Sequence, residues 1–139
     1  MDIFLSKNFT LSELTSSSVA RRKKIPNVPT GDQLFNLKVL CEKILQPIRD
    51  RFEAPIRINS GFRCEALNRI VGGAKGSQHL FGEAADITCG DNRKLWSLIN
   101  RMIDEGVITV GQLIDEKNLS WIHVSLPSAS YKNQIFSLK

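Results

Sequence analysis

The amino-acid sequence predicts a single α+β domain in which helices flank a small, mainly antiparallel sheet. The chain has 139 residues, enough for one core of its own but too few for two comfortable ones. Apolar residues recur at helical spacing mainly in the first half, whereas strand-like alternation clusters later. This segregation is typical of the α+β class. We therefore predict one domain spanning residues 1–139.

The first helices are marked by two capping boxes. Thr10 and Glu13 have the required spacing and open a short helix that begins LSEL. Thr30 and Gln33 repeat the spacing, and the apolar residues that follow recur at helical intervals, which predicts the main core helix. Pro47 lacks the amide that would bond back one turn, so we predict a bend near it.

Short strands dominate the second half of the chain. The predicted elements are, in order, a strand in PIRINSG, a short helix in EALNRIV, a glycine-rich loop in GGAKGS, a strand in AADITC, a helix in NRKLWSLINRMIDEG, and strands in QLIDE and SWIHVSL. Gly106 is expected to close the long helix, and KNL to join the last two strands. From Pro127 onward the pattern is weak, and this segment is expected to pack across the surface.

The charge of the chain favours an anionic partner. A net charge of +5 suits nucleic acid, anionic lipid or an anionic wall polymer. The densest basic run, ARRKKIP at residues 20–26, has no interleaved aromatic residues to stack bases and no helical recognition pattern. We interpret it as a solvated basic loop and expect no nucleic-acid partner, although a basic nucleic-acid-binding domain stays an alternative.

Cysteine usage and hydropathy narrow the class of protein further. Cys41, Cys64 and Cys89 have no CxxC spacing, which favours reduced thiols over a disulfide framework or a cysteine-rich zinc module. No stretch approaches the ~20 apolar residues that cross a bilayer. The first residues lack the pattern of a secretory signal, so we expect synthesis in the cytoplasm and release by another component.

The chain has only two histidines, and both lie near features that suit a metal site. His79 lies in SQHLFGEAADI and His123 in the predicted strand SWIHVS. With Asp86 they supply imidazole and carboxylate ligands, which catalytic zinc commonly takes in threes while keeping a fourth position for water. An unpaired carboxylate between the apolar residues of AADI would be costly to bury. Ordinary structural roles for the three side chains stay open on this reasoning alone.

Three motifs together resemble the zinc D-alanyl-D-alanine carboxypeptidase family, whose fold is shared with hedgehog signalling domains and several phage lysis enzymes. They are SGFR at residues 60–63, SQHLFGEAADI at 77–87 and WIHVS at 121–125. The likeness covers nearly the full chain and extends to the compact bacterial and phage branch, which NFTLSEL, LQPIRDRF and RINSGFRC resemble. It implies that His79, Asp86 and His123 are zinc ligands.

The resemblance also implies a catalytic base and two substrate contacts. In many members the base lies three residues before the second histidine, but Ser120 occupies that position here and cannot take the proton. The compact branch has an acid at the end of its QLI-x-E segment, so we predict Glu116, with Asp115 in reserve because the register is open. Arg63 and Ser77 are expected to hold and polarise the substrate.

The predicted function is therefore zinc-dependent hydrolysis of peptide bonds in peptidoglycan stem peptides. A D-Ala-D-Ala carboxypeptidase and an endopeptidase of the endolysin type both fit, acting in the cell wall or periplasm after release. The main alternative is a non-catalytic, zinc-containing module that binds the cell wall, because an acid is missing at Ser120.

Overall fold

The computed structural model describes residues 2–139 and confirms a single small domain of the α+β class. Within that range the strands are β1 (Phe4–Ser6), β2 (Phe9–Thr10), β3 (Arg57–Ser60), β4 (Ala84–Thr88), β5 (Gln112–Glu116), β6 (Trp121–Ser125) and β7 (Gln134–Leu138). The α-helices are α1 (Leu11–Thr15), α2 (Ser18–Lys23), α3 (Gly31–Leu40), α4 (Gln46–Phe52), α5 (Glu65–Ile70) and α6 (Asn92–Asp104).

The main sheet is mainly antiparallel, as predicted. In the described part of the chain it has the strand order β3-β4-β6-β5-β7, with antiparallel pairing throughout except between β5 and β7. Strands β1 and β2 form a separate small hairpin. The predicted connection KNL is a tight turn between β5 and β6, in which Lys117, Asn118 and Leu119 all have positive φ.

The register of the sheet separates a core face from an open face. Ala85 lies opposite Val124, and Ile87 lies opposite Ile122, and all four side chains are buried. They join the hydrophobic core, to which α3, α4 and α6 contribute Leu37, Leu40, Ile48, Leu95, Ile99 and Met102. Because side chains alternate along a strand, Asp86 and His123, which lie between these two pairs, face the other side of the sheet.

The main core helix contains an irregular segment just before its proline. Residues Cys41–Leu45 are π-helical and connect α3 to α4 without a break. The N–H of Gln46 donates to the carbonyl of Cys41, five residues back rather than four. Pro47 has no N–H to donate and its ring crowds the preceding turn, so a widened turn at this point accommodates it.

The basic run is helical, and its interpretation as a loop was wrong. Helix α2 contains most of residues 20–26, and Ser17 caps it by accepting from the N–H of Ala20 at 3.1 Å. Lys24 ends the helix in the left-handed conformation, with φ of 57°. The basic side chains are solvated, as expected. One short turn buries little beyond Ala20, which explains why no apolar stripe signals the helix.

The C-terminal segment also differs from the prediction, because it adds a strand to the sheet. Strand β7 pairs with β5 in parallel, with Phe136 opposite Ile114. Asn133 fixes the entry to this strand by exchanging hydrogen bonds with Val110, its N–H donating at 2.6 Å and its Oδ1 accepting at 2.9 Å. An exposed edge strand buries little on either face, so its sequence lacks the alternation that marks a half-buried strand.

The structure agrees with the prediction of free thiols and with the prediction that no segment spans a membrane. All three cysteines are free, and burial, assisted by the charges of Glu13 and Glu42, raises the pKa of Cys41 to about 12. No helix within residues 2–139 is both long enough and apolar enough to cross a membrane.

Candidate metal centre

Two histidines and an aspartate that are distant in sequence meet on the open face of the sheet. The Nε2 atom of His79 lies 3.3 Å from Oδ1 of Asp86, and Nδ1 of His123 lies 3.0 Å from the same oxygen. One ligand atom from each of the three residues lies within 4.8 Å of the others. Both imidazoles are buried, while the aspartate side chain keeps 15% of its surface exposed. The structure thus assembles all three predicted ligands.

The sheet register positions two of these residues. Asp86 on β4 and His123 on β6 are direct partners across an antiparallel pair, so their side chains project to the same face. Ile87 and Ile122, the next pair along, point into the core. A one-residue slip would exchange the two sets, so burial of the isoleucines holds the aspartate and histidine on the open face.

His79 reaches the cluster from a 3-10 turn, Gln78–Phe81, rather than from the sheet. Ser77 caps this turn, its Oγ accepting from the N–H of His79 at 3.2 Å. Gly82 ends it with φ of 73°, and a Cβ there would collide with the carbonyl of Gln33 on α3. The serine and glycine of the motif therefore fix the turn that carries the histidine.

The hydrogen bonds of His79 determine which of its ring nitrogens can act as a ligand. Its Nδ1 lies 2.7 Å from the backbone carbonyl of Gly61, which can only accept, so this nitrogen carries the proton. In the neutral ring Nε2 then has a lone pair that faces the carboxylate of Asp86. Two acceptors at that distance repel each other unless a proton or a cation lies between them. A backbone carbonyl on the far nitrogen is also the usual support of a metal-ligating histidine.

Asp86 is held in its ionised form by its surroundings. Burial alone would raise its pKa, but the hydrogen bonds and positive charges that His123 and His79 supply when their rings are protonated outweigh that effect and hold the pKa well below its usual range. The carboxylate is therefore a ready anionic ligand.

The two candidate bases lie on opposite faces of β5. Glu116 pairs with Trp121, which is two residues from His123 and so shares its face of the sheet. Asp115 pairs with Ile122, whose side chain is in the core. Strand alternation thus brings Glu116, rather than its neighbour, to the side of the cluster.

Asp115 and Ser120 are both occupied by structural hydrogen bonds. One carboxylate oxygen of Asp115 accepts from the N–H of Leu119 at 2.6 Å, and the other accepts from the hydroxyl of Ser137 at 3.2 Å. The hydroxyl of Ser120 donates to the carbonyl of Lys117 at 2.6 Å. Both side chains therefore stabilise the β5–β6 turn and its contact with β7.

Arg63 approaches the cluster from the segment after β3. Its N–H donates to the carbonyl of His79 at 3.1 Å, which ties the two motifs together. Its Nε is buried and has no hydrogen-bond partner within residues 2–139. Burial lowers the pKa of the guanidinium, and the negative charges of Asp86 and Glu116 act against that lowering. The guanidinium thus interacts electrostatically with both carboxylates, and its Nε–H remains available as a hydrogen-bond donor.

Gly73 lies close to this arginine, and Asn68 holds the loop that contains Gly73; sequence reasoning missed both. The side chain of Asn68 is buried and donates to the carbonyl of Ala74 at 2.9 Å, while the backbone carbonyl of Asn68 accepts from the N–H of Gly73 at 2.9 Å. A Cβ on Gly73 would lie 2.8 Å from Nη1 of Arg63. The GG pair in the loop was the available signal, because adjacent glycines often mark a close approach of backbone to other groups.

The fold and this cluster define a small α+β domain with a candidate metal centre on the open face of its sheet. Comparison with known proteins identifies its family. The profile of the family described as peptidase M15 matches residues 7–125, so the chain belongs to that family. It is also 47% identical over 38 residues to the zinc D-Ala-D-Ala carboxypeptidase of Streptomyces albus G. That match spans 27% of this chain and 15% of that protein.

Proposed function

We propose that this protein is a zinc-dependent peptidase that hydrolyses peptide bonds of peptidoglycan stem peptides. The observation that carries the proposal is the His79–Asp86–His123 cluster in a chain of the peptidase M15 family, with an acid on the same face of the sheet. The name of the related Streptomyces albus G protein, a zinc D-Ala-D-Ala carboxypeptidase, supports both zinc and a D-Ala-D-Ala peptide substrate.

The donor set of the cluster suits zinc. His79, through Nε2, Asp86 and His123 would hold the ion, and two imidazoles with one carboxylate leave the fourth position of a catalytic site free. Zinc bound there would lower the pKa of a coordinated water to about 7 and polarise the scissile carbonyl. Other N/O-binding divalent metals compete for such a donor set, so zinc is tested by the experiments below.

Glu116 is our proposed general base. It would take the proton of the attacking water and pass it to the leaving amine, the role that a carboxylate near a metal-bound water performs. The support for this assignment is its position on the face of His123, while the carboxylate of Asp115 is engaged by Leu119 and Ser137.

Arg63 and Ser77 are our proposed substrate contacts. The guanidinium is half-buried with an unpaired Nε within the described residues, so it can donate to a carboxylate or carbonyl oxygen of a bound peptide. The oxygen of Ser77 already accepts from His79, which leaves its hydroxyl proton free to donate to the substrate.

A wall-binding module without catalysis is the second candidate function. Its support is Ser120, which stands where many relatives have the base and is engaged in a turn. This candidate would retain zinc and wall binding but would show no difference in hydrolysis between the wild type and a Glu116 variant. For both candidate functions, we propose a site of action outside the cytoplasm, in the cell wall or periplasm.

The test is mass spectrometry of purified peptidoglycan fragments incubated with zinc-loaded protein. We expect new fragments from the wild type and a rate about 10²–10⁴ lower for Glu116→Gln, because the base is lost while the shape is kept. Asp115→Asn is the matched control and should retain most activity. The mass lost distinguishes carboxypeptidase from endopeptidase cleavage.

Two results would contradict the proposal. If the folded, zinc-loaded wild type releases no fragment, the protein is not a peptidase of this substrate. If Asp115→Asn loses activity and Glu116→Gln does not, the assignment of the base is wrong.

A further inference from the structure

Helix α2 ends in a group of positive charges that the proposed peptidase chemistry does not use. Four consecutive side chains there are exposed, those of Arg21, Arg22, Lys23 and Lys24. Residues 14–31 contain no Asp or Glu. None of the four cations has a carboxylate within 4 Å in the described part of the chain. They therefore form an unneutralised basic surface, which we call the α2 surface.

The last of these charges lies where the backbone favours a different residue. Lys24 ends α2 in the left-handed conformation, with φ of 57° and ψ of 42°. Glycine is the usual residue at such a helix end, because it has no Cβ. Cations near the C-terminus stabilise a helix dipole, but the last turn of α2 already has three. A fourth cation in a strained conformation is therefore not explained by the stability of the helix.

Asn27, shortly after α2, fixes the α2 surface beside the segment that leads to the candidate metal centre. Its Nδ2 donates to the carbonyl of Phe62 at 2.9 Å, and its Oδ1 accepts from the N–H of Cys64 at 2.8 Å. The residue between these two, Arg63, donates its backbone N–H to the carbonyl of His79. A short series of hydrogen bonds thus sets the position of the α2 surface relative to the cluster.

The composition of this region indicates which kind of polyanion fits it. Residues 14–31 contain no aromatic side chain, whereas proteins that bind single-stranded nucleic acid commonly stack bases on aromatic rings. Helices that bind anionic membranes insert an apolar face, but Ala20 of α2 is buried in the protein and Val19 is half-buried. Charge complementarity therefore favours a flexible polyanion that has neither bases nor acyl chains.

We propose that the α2 surface docks an anionic wall polymer built of phosphodiesters. Its phosphates would bind the four cations, and the bound polymer would raise the local concentration of the protein at the wall. The inference rests on the proposed peptidase function, because that function brings the chain to peptidoglycan. The α2 surface has no role in the chemical step.

Two double variants remove the same charge from different places. Arg22→Gln with Lys23→Gln takes two cations from the α2 surface. Arg93→Gln with Arg101→Gln, the matched control, takes two from α6, a helix that packs into the hydrophobic core. All four side chains are exposed, and none forms an ion pair within residues 2–139. A general loss of positive field would affect both double variants equally.

The experiment is calorimetric titration of the zinc-loaded protein with poly(glycerol phosphate), with a single-stranded oligothymidine of the same charge for comparison. We expect the affinity for poly(glycerol phosphate) to fall about tenfold in the α2 variant and to stay within about twofold of the wild type in the control. The slope of log affinity against log salt should shrink by about 1.4 in the α2 variant, because each phosphate contact of a single chain contributes about 0.7. Oligothymidine should bind the wild type more weakly than poly(glycerol phosphate).

Lys24→Gly separates polymer binding from the stability of the helix. The glycine removes the charge and relieves the left-handed backbone. We expect the affinity for poly(glycerol phosphate) to fall about threefold while the midpoint of thermal unfolding rises by about 2 °C. A lower midpoint with unchanged affinity would show that Lys24 serves the helix and would contradict its assignment to the α2 surface.

The remaining outcomes separate the polymer proposal from the proposed function. Equal losses of affinity in the two double variants would overturn the α2 surface in favour of a general field effect. Binding to oligothymidine, or to vesicles of anionic phospholipid, that equals or exceeds binding to poly(glycerol phosphate) would overturn the choice of polymer. Hydrolysis of stem peptides without polymer binding would overturn this proposal alone. Polymer binding without hydrolysis would support it and favour the wall-binding module over the peptidase.

Discussion

The two faces of the main sheet use the same strands for different purposes. On the core face, Ile87 and Ile122 are fully buried and pack against the helices. On the open face, their immediate neighbours Asp86 and His123 are partners across β4 and β6, with Oδ1 of Asp86 3.0 Å from Nδ1 of His123. In one strand pair, the isoleucines thus stabilise the fold, and the residues next to them form the candidate metal centre.

The core face secures the position of the cluster. The core face determines the register, because a slip by one residue would expose the isoleucines and bury the charges. The geometry of the open face then follows from that register. Substitutions on the two faces should therefore have separable effects, on stability for the core face and on zinc binding for the open face.

The largest contrast is expected between His123→Ala and Ile122→Ala, neighbours on β6. His123→Ala should weaken zinc binding by about 100-fold or more, because one of three ligands is lost. Ile122→Ala should leave a cavity in the core and lower the free energy of unfolding by about 2–5 kcal/mol. Chelator competition measures the zinc affinity, and urea denaturation of the metal-free proteins measures stability. Equal stability losses would refute the division between faces.

A smaller effect is expected at Gly73, which lies against the arginine of the open face. In Gly73→Ala the added Cβ would press on Nη1 of Arg63 and on the buried amide of Asn68. We expect kcat/KM for a stem peptide to fall about tenfold with little change in zinc affinity, because the guanidinium is displaced. Gly76→Ala is the control, since a Cβ there meets nothing within 4 Å. Equal activity of the two variants would exclude a positioning role for the glycine.

The smallest effect is expected at Asp115, whose carboxylate supports the β5–β6 turn. In Asp115→Ala the N–H of Leu119 loses its acceptor, which should lower the free energy of unfolding by about 1 kcal/mol. Zinc affinity should stay at the wild-type value, because this side chain does not share the face of the cluster. A large drop in zinc affinity with unchanged stability, measured by the same two methods, would contradict the structural role of Asp115.

Local signals made much of the fold predictable. Both capping boxes, at Thr10 and at Thr30, are present as expected, because a short polar side chain and its partner three residues on are sufficient for the motif. Strand β7 and helix α2 were not predicted, since each buries too little for its apolar pattern to emerge. Their positions depend on tertiary partners such as β5, which a local pattern does not reveal.

The candidate site was predictable in its residue types but not in its geometry. The scarcity of histidine and the family resemblance pointed to His79 and His123, and the structure brings them together with Asp86. The choice between Asp115 and Glu116 depended on strand register, which is set by pairing across the sheet. The carbonyl of Gly61, the second partner of His79, could not be found from sequence, because every residue has a backbone carbonyl.

The most direct test of the account is the location of zinc in crystals of the zinc-loaded protein, from anomalous difference maps collected at the zinc absorption edge. We predict one strong peak at about 2.0–2.2 Å from Nε2 of His79, from a carboxylate oxygen of Asp86 and from a ring nitrogen of His123. A peak coordinated by other residues, or an empty cluster in crystals that contain zinc elsewhere, would contradict the account.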